Sequence, residues 1–235
     1  MLAILAYHKV GASSDDGAET WYYMPEETLR AQLESLKEAG WQFVDAQTAV
    51  EGLARPEVLP ERAALVTFDD GYRSLFRALP LLAELDCPAA VFVPTGYIGD
   101  RSRFDENSEE PPEPICDWDE LRELEAAGVS VQSHGVSHRA FSELEPAEIE
   151  EELIRSKAVL EEGLGKQVAL FSFPYGDAGT DPAAVRRLIG NAGYGAACLD
   201  DGGAARLPVD DPYALPRLTM WPDTEPAVQL RLSLA

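Results

Sequence analysis

Basic side chains are the first shortage in this sequence. Nineteen lysines and arginines stand against forty-two aspartates and glutamates, a formal net charge of −23. Such a chain repels nucleic-acid phosphates and anionic membrane surfaces, which makes both poor partners. The same acidic excess keeps a protein hydrated in concentrated salt, so salt adaptation stands as a hypothesis beside plain acidic drift. Cysteine is scarce too. Three residues, Cys87, Cys116 and Cys198, are widely spaced without a CxxC, which excludes a disulfide framework and a thiolate zinc site. Cys87 and Cys198 lie in apolar runs and read as core, whereas Cys116 lies in a Pro/Glu-rich stretch and reads as more exposed. No run is apolar enough to span a bilayer. The opening Met1-Leu2-Ala3-Ile4-Leu5-Ala6 lacks the basic start and the apolar length, about 7–15 residues, of a secretory signal. The chain reads as soluble and cytoplasmic, although a secreted chain trimmed of its leader would read the same.

What is present fits one globular α/β domain over residues 1–235. Hydrophobic residues at 46% and charged residues at 26% are ordinary for such a domain. Short apolar runs rich in β-formers alternate with amphipathic stretches, the pattern of βα units around a parallel sheet. The strand candidates are Leu2–Tyr7, Ala63–Phe68, Ala89–Val93, Val129–Gln132, Ala169–Phe173 and Tyr194–Leu199, with a weaker one near Gln42–Val44. Helices are expected over Pro25–Ala39, Tyr72–Leu85, Trp118–Ala127, Pro146–Glu162 and Pro182–Asn191. The acidic run of Glu148, Glu150, Glu151 and Glu152 reads as a solvated helix face. Asp100–Pro114 reads as a long loop, either a lid or a surface insertion. The proline-rich tail from Asp210 onward gives no clear element.

The residues able to do chemistry follow the strand candidates directly. His8 follows Leu2–Tyr7, Asp69-Asp70-Gly71 follow Ala63–Phe68, Ser133-His134 follow Val129–Gln132, and Pro174-Tyr175-Gly176 follow Ala169–Phe173. In a parallel barrel these strand ends share one rim, where active sites are built. His134 and His138 are four apart, a spacing that on a helical turn aims both imidazoles at one divalent metal. Alone it reads more readily as a surface pair or a cap. Asp69 and Asp70 on another strand are candidates for a carboxylate ligand, and one of them can ligate while the other stays free as a base. An Asp-Asp-Gly forming a turn and a helix cap competes with that reading. Two histidines, one carboxylate and an open position describe a catalytic zinc site. A general acid is then needed for the leaving amine, and His8 is the remaining histidine; a hydrogen-bonded core histidine is its alternative.

Thr67-Phe68-Asp69-Asp70-Gly71, Ser133-His134-Gly135-Val136-Ser137-His138 and Phe173-Pro174-Tyr175-Gly176 together resemble three motifs of the polysaccharide deacetylases, the NodB-homology group or carbohydrate esterase family 4. They stand in that family's order within roughly residues 60 to 220. The resemblance implies a distorted (β/α) barrel of about seven parallel strands and metal-dependent removal of acetyl from an N-acetylated carbohydrate, by activated water attacking the acetamide carbonyl. It implies Asp69 as base, Asp70, His134 and His138 as metal ligands, Tyr175 lending its backbone N–H to the oxyanion, and Pro174 and Tyr175 walling the groove. One divalent ion is implied, zinc by default, with cobalt or nickel able to substitute.

The chain departs from the family pattern twice. Phe171-Ser172-Phe173 stands where an arginine usually orients the base, and no histidine follows His138. Both gaps resemble a branch that includes the poly-N-acetylglucosamine deacetylases, in which an N-terminal Tyr-His supplies the acid. Tyr7-His8-Lys9-Val10 fits that role, and Ala214-Leu215-Pro216-Arg217-Leu218 resembles the branch's Leu-Pro-Arg segment, which implies that Arg217 orients the base; a surface arginine is the alternative. Hydrolysis of another C–N bond, in a cyclic imide or ureide, and a weakly active carbohydrate-binding relative remain the competing functions. Trp21, Trp41, Trp118 and Trp221 are candidates for stacking on sugar rings, with Trp41 and Trp118 also readable as core.

Overall fold

Leu2–Tyr7 is buried at all of its positions, as is Ala63–Phe68, which marks strands covered on both faces. The structure, a computed structural model, describes residues 1–12, 23–105 and 112–232. Trp21 and the middle of the Asp100–Pro114 loop lie outside the described residues. Seven strands close a parallel barrel: β1 (Leu2–Tyr7), β2 (Ala63–Phe68), β3 (Ala89–Val93), β4 (Val129–Ser133), β5 (Leu170–Ser172), β6 (Ala196–Gly202) and β7 (Leu215–Thr219). Each pairs with the next in chain order, and β1 closes the ring by pairing with both β2 and β7. The expected distorted (β/α) barrel is therefore the fold. Gln42–Phe43 adds a short parallel strand to β2, and Ala204–Ala205 an antiparallel one to β1.

The seventh strand is not the Gln42–Val44 candidate but β7, in the tail that gave no clear element. Pro216 hides it, because proline cannot donate to a ladder and argues against a central strand. The register of β7 against β6 shifts between Leu215 and Arg217, so the proline sits at an irregularity that needs no N–H from it. The expected Tyr72–Leu85 helix also divides, into a 3₁₀ segment Arg73–Arg77 and a helix α3 (Leu79–Glu84). Pro80 explains the break, since proline is accommodated in a first turn and not in a helix interior.

Alternation along the strands separates two apolar layers. Leu2 and Ile4 of β1, Ala63 and Leu65 of β2, and Leu215 of β7 pack in one cluster, inside the barrel. Ala3, Leu5, Tyr7, Ala64, Val66 and Phe68 pack in the other with Leu29, Leu33 and Leu36 of helix α1 (Glu26–Glu38), so that layer lies outside the barrel. A two-residue period continued past the strand ends assigns His8, Asp69, His134 and Arg217 to the inward series. All three cysteines are buried, Cys116 at 0% exposure, contrary to its expected exposure. The charged stretch around it is only local, and its chain segment hydrogen-bonds to the Asp70-Gly71 turn through Cys116 N–H and the Gly71 carbonyl at 2.9 Å. Trp41 is core at 4% exposure, Trp118 lies against Gly163, and Trp221 is exposed. Among the described residues no helix is long and apolar enough to cross a membrane.

Candidate active site

Asp69 and Asp70 are adjacent, and their carboxylates serve different partners. Asp69, 2% exposed, receives both arms of the Arg217 guanidinium: Nη1 donates to Oδ1 at 2.8 Å and Nη2 to Oδ2 at 2.7 Å. Arg217 is itself wholly buried, so the alternative of a surface arginine is removed. Its Nε donates to the Leu199 carbonyl at 2.7 Å, Nη2 also donates to Asp200, and the guanidinium lies over the Phe92 ring at 5.6 Å. A bidentate fork fixes the plane of a carboxylate as well as its position. Burial pushes Asp69 toward its neutral form, but the charge and hydrogen bonds of Arg217, with smaller contributions from His134 and His8, hold its pKa below the usual range. Asp69 is thus an ionised carboxylate at neutral pH.

Asp70 turns the other way, toward the histidines. Its Oδ1 lies 3.4 Å from His134 Nε2 and 3.0 Å from His138 Nε2, and one ligand atom from each of the three residues falls within 4.8 Å of the others. All three side chains are buried. Burial opposes the charge on Asp70, and the closeness of the His138 and His134 imidazoles, with the charge of His8, holds it well below the carboxylate range. Burial likewise opposes a charged His134, but Asp70, the charge of Asp69 and the Ser172 carbonyl outweigh it and raise the imidazole's pKa.

A proton is not the best occupant of this space. His134 Nδ1 lies 2.8 Å from the Ser172 carbonyl, which can only accept, so an N–H is committed there and in the neutral ring the Nε2 lone pair faces Asp70. Asp70 Oδ1 is buried and, despite those short distances, no donor meets it in hydrogen-bond geometry. A carboxylate oxygen and imidazole lone pairs converging without a donor between them fit a divalent cation. His138 completes the set with its Nδ1 3.2 Å from the Tyr175 hydroxyl.

The geometry of the histidine pair differs from the expected helical turn. Ser133 ends β4, and His134 to His138 run through a loop in which Gly135 and His138 have φ of +78° and +57°. Convergence comes from backbone reversal rather than helical period. Of four non-glycine residues with positive φ among the described residues, three are Asp70 (+71°), His138 and Tyr175 (+58°). Each such conformation costs on the order of 1 kcal/mol, strain that concentrates at functional sites.

The loop is held by groups that local reading missed. Glu152 of helix α5 (Pro146–Leu164) accepts the Val136 and Ser137 N–H groups at 2.6 and 3.0 Å, so one member of the acidic run faces the site loop instead of solvent. Phe104 stacks on the His138 ring, and Asp200 is the second carboxylate on Arg217. Nothing in local composition marks these residues, because each acts across the fold. His8 follows β1 on the same rim, where its charge acts on both Asp69 and Asp70. Pro174 is buried, and Tyr175 is 57% exposed with its hydroxyl on His138.

Known proteins share this sequence pattern and this fold. The polysaccharide deacetylase family profile matches residues 57–196. The chain belongs to that family. The matched region contains Asp69, Asp70, His134, His138, Pro174 and Tyr175, whereas His8, Asp200 and Arg217 lie outside it. The structure of IcaB from Ammonifex degensii superposes with a TM-score of 0.81 at 28% identity, covering 100% of this chain and 97% of that one. The Streptococcus pyogenes deacetylase PplD, in complex with acetate, shares the fold at a TM-score of 0.80 and 20% identity, over 98% and 96% of the two chains. Poly-beta-1,6-N-acetyl-D-glucosamine N-deacetylase of Escherichia coli K12 is 36% identical over 95 residues, 39% of this chain and 13% of that protein. YxkH of Bacillus subtilis, which carries a polysaccharide deacetylase name, is 24% identical over 176 residues, 74% of this chain and 57% of its own length. This family member thus matches less than two thirds of either relative's length.

Proposed function

We propose that this polysaccharide deacetylase family member hydrolyses the acetamide of an N-acetylated hexosamine unit, giving acetate and a free amine. The observation that carries the reading is a buried, arginine-clamped Asp69 beside a three-residue ligand set whose Asp70 Oδ1 has no donor. Asp70, His134 and His138 would hold one divalent ion, with zinc favoured by a set of two imidazoles and a carboxylate. When bound, such an ion supplies Lewis acidity, which acidifies water and polarises the acetyl carbonyl.

The chain's own residues do the rest. Asp69, ionised and held in one plane by Arg217, takes a proton from the attacking water as its oxygen adds to the acetyl carbon. Tyr175, on the turn after β5, lends its backbone N–H to the developing oxyanion. His8 gives a proton to the sugar nitrogen as the C–N bond breaks. A neutral N-acetylated glycan suits a surface with a net charge of −23, and an amine-bearing product suits it further. The E. coli relative's name supports poly-N-acetylglucosamine as the first polymer to try. Binding alone does not require a clamped base beside a metal site, so the geometry favours an enzyme over a carbohydrate-binding relative.

The direct test is acetate release from N-acetylglucosamine oligomers with and without added zinc. Asp69→Asn is expected to lower turnover by about 10²–10⁴-fold while bound metal, measured by elemental analysis, stays equal to wild type. Unchanged turnover removes Asp69 from the mechanism.

A further inference from the structure

Between the turn after β3 and helix α4 (Trp118–Ala126), the described residues 98–105 and 112–117 form the two sides of an excursion beside the site. Its base is tied to the Asp70-Gly71 turn, where Cys116 N–H donates to the Gly71 carbonyl at 2.9 Å and Arg73 N–H to the Pro114 carbonyl at 3.0 Å. Its two sides are tied to each other. Ile115 N–H meets the Asp100 carbonyl and Ser102 N–H the Glu113 carbonyl, both at 2.9 Å, and Arg101 donates twice to the Pro112 carbonyl at 3.0 and 2.7 Å. Ser102, at 1% exposure, accepts at its hydroxyl oxygen from the Glu113 N–H at 2.9 Å. The excursion is therefore braced over its described residues.

That bracing delivers one side chain to the ligand set. The Phe104 ring lies over the His138 imidazole with centroids 4.0 Å apart and planes at 29°. Tyr97 meets Phe104 edge-on at 4.9 Å and 82°, fixing the ring from behind. Tyr175 approaches the same imidazole from another direction, at 4.8 Å and 73°, with its hydroxyl at Nδ1. His138 needs such support, because its φ of +57° puts the backbone in a region with little intrinsic preference to stay.

We infer that Phe104 is a positioning residue for metal retention, holding the His138 imidazole in its ligating orientation through ring stacking. The inference rests on the reading that Asp70, His134 and His138 bind a divalent ion. A ligand already held in place loses less freedom on binding, and partners of metal-binding histidines outside the ligand set typically change affinity by about 10–100-fold when removed. An imidazole covered by the Phe104 face, with Tyr175 set edge to face against it, is also shielded from water that would compete for the ion.

The experiment measures zinc affinity of the full chain by competition with a chromophoric chelator, for wild type, Phe104→Ala and Phe104→Tyr. Phe104→Ala is expected to weaken zinc binding by about tenfold and Phe104→Tyr to restore it. The cobalt-loaded proteins provide a second readout, with the visible absorption band of Phe104→Ala displaced from wild type and that of Phe104→Tyr coincident with it. Equal zinc affinity in wild type and Phe104→Ala overturns the inference, as does failure of tyrosine to rescue. If Phe104→Ala does not fold, Phe104→Leu, which keeps bulk without a ring face, is read by the same criteria. Wild-type protein that takes up no zinc or cobalt defeats the metal reading itself, whereas tight binding that is indifferent to Phe104 defeats only this assignment.

Discussion

Asp69 and Asp70 show how neighbouring residues of one type acquire different chemistry. Successive side chains at a strand end point apart, so Asp69 meets a guanidinium and Asp70 meets two imidazoles. Because Arg217 outweighs burial and lowers the Asp69 pKa, the base stays ionised as pH falls through the ordinary carboxylate range. Acetate release should then be lost only at lower pH, as Asp69 takes up its proton. Arg217→Met removes the stabilising charge and leaves the burial, so the acidic limb of the rate profile should move to higher pH. An unmoved limb would show that the clamp does not set the base. Stability follows the same sign, since a depressed carboxylate stabilises the fold above its unfolded pKa and ceases to as pH falls through the folded one. At neutral pH Arg217→Met leaves a buried carboxylate without its charge partner, a loss of about 3–5 kcal/mol visible in urea unfolding.

The elements of the barrel were unevenly legible. Leu2–Tyr7, Ala63–Phe68 and Ala89–Val93 were readable to the residue, because strands buried on both faces leave a continuous apolar run. The strand Leu215–Thr219 was not, since Pro216 breaks local strand chemistry and only the shifted register against β6 accommodates it. The His134–His138 segment reads from its spacing as a helical turn and is a loop, because a four-residue spacing does not distinguish a helical turn from a loop bent at Gly135 and His138. That loop is pinned from two elements, by Glu152 of α5 and by the segment after β3. There, Thr95 and Gly96 N–H groups donate to the Gly135 and Val136 carbonyls at 2.9 Å. A Cβ on Gly96 would sit 2.6 Å from the Val136 carbonyl oxygen, a contact only backbone movement can relieve. Gly96→Ala should therefore displace the loop and lower zinc affinity by about tenfold or more, measured by chelator competition. Wild-type affinity in that variant would show that the loop absorbs the shift without moving His138.

For the whole molecule, charge dominates. A net −23 on 235 residues opposes compaction, and the repulsion is screened when the Debye length falls from about 10 Å at 0.1 M salt to about 3 Å at 1 M. The melting temperature should rise across that range, and a flat curve in a calorimetric salt series would remove salt adaptation as the reason for the acidic surface. The buried cysteines sit apart from this. Burial pushes each of the three thiols up to about 12, which keeps them in the protonated, unreactive form.

By itself the sequence determined the periodic features: the class of fold, most barrel strands, and the histidines and aspartates that end those strands. It determined them because strands buried on both faces leave continuous apolar runs, which end where the polar residues of the rim begin. It also pointed to His8 by its place after a strand, and to Arg217 only through resemblance, since an arginine has no local signature separating a buried partner from a surface side chain. Tertiary structure decided what converges: Arg217 on Asp69 from 148 residues away, Glu152 beneath the histidine loop, and Phe104 against His138. Those contacts are set by closure of the barrel and by the path of the loops above it, neither of which is written in the spacing of any one segment.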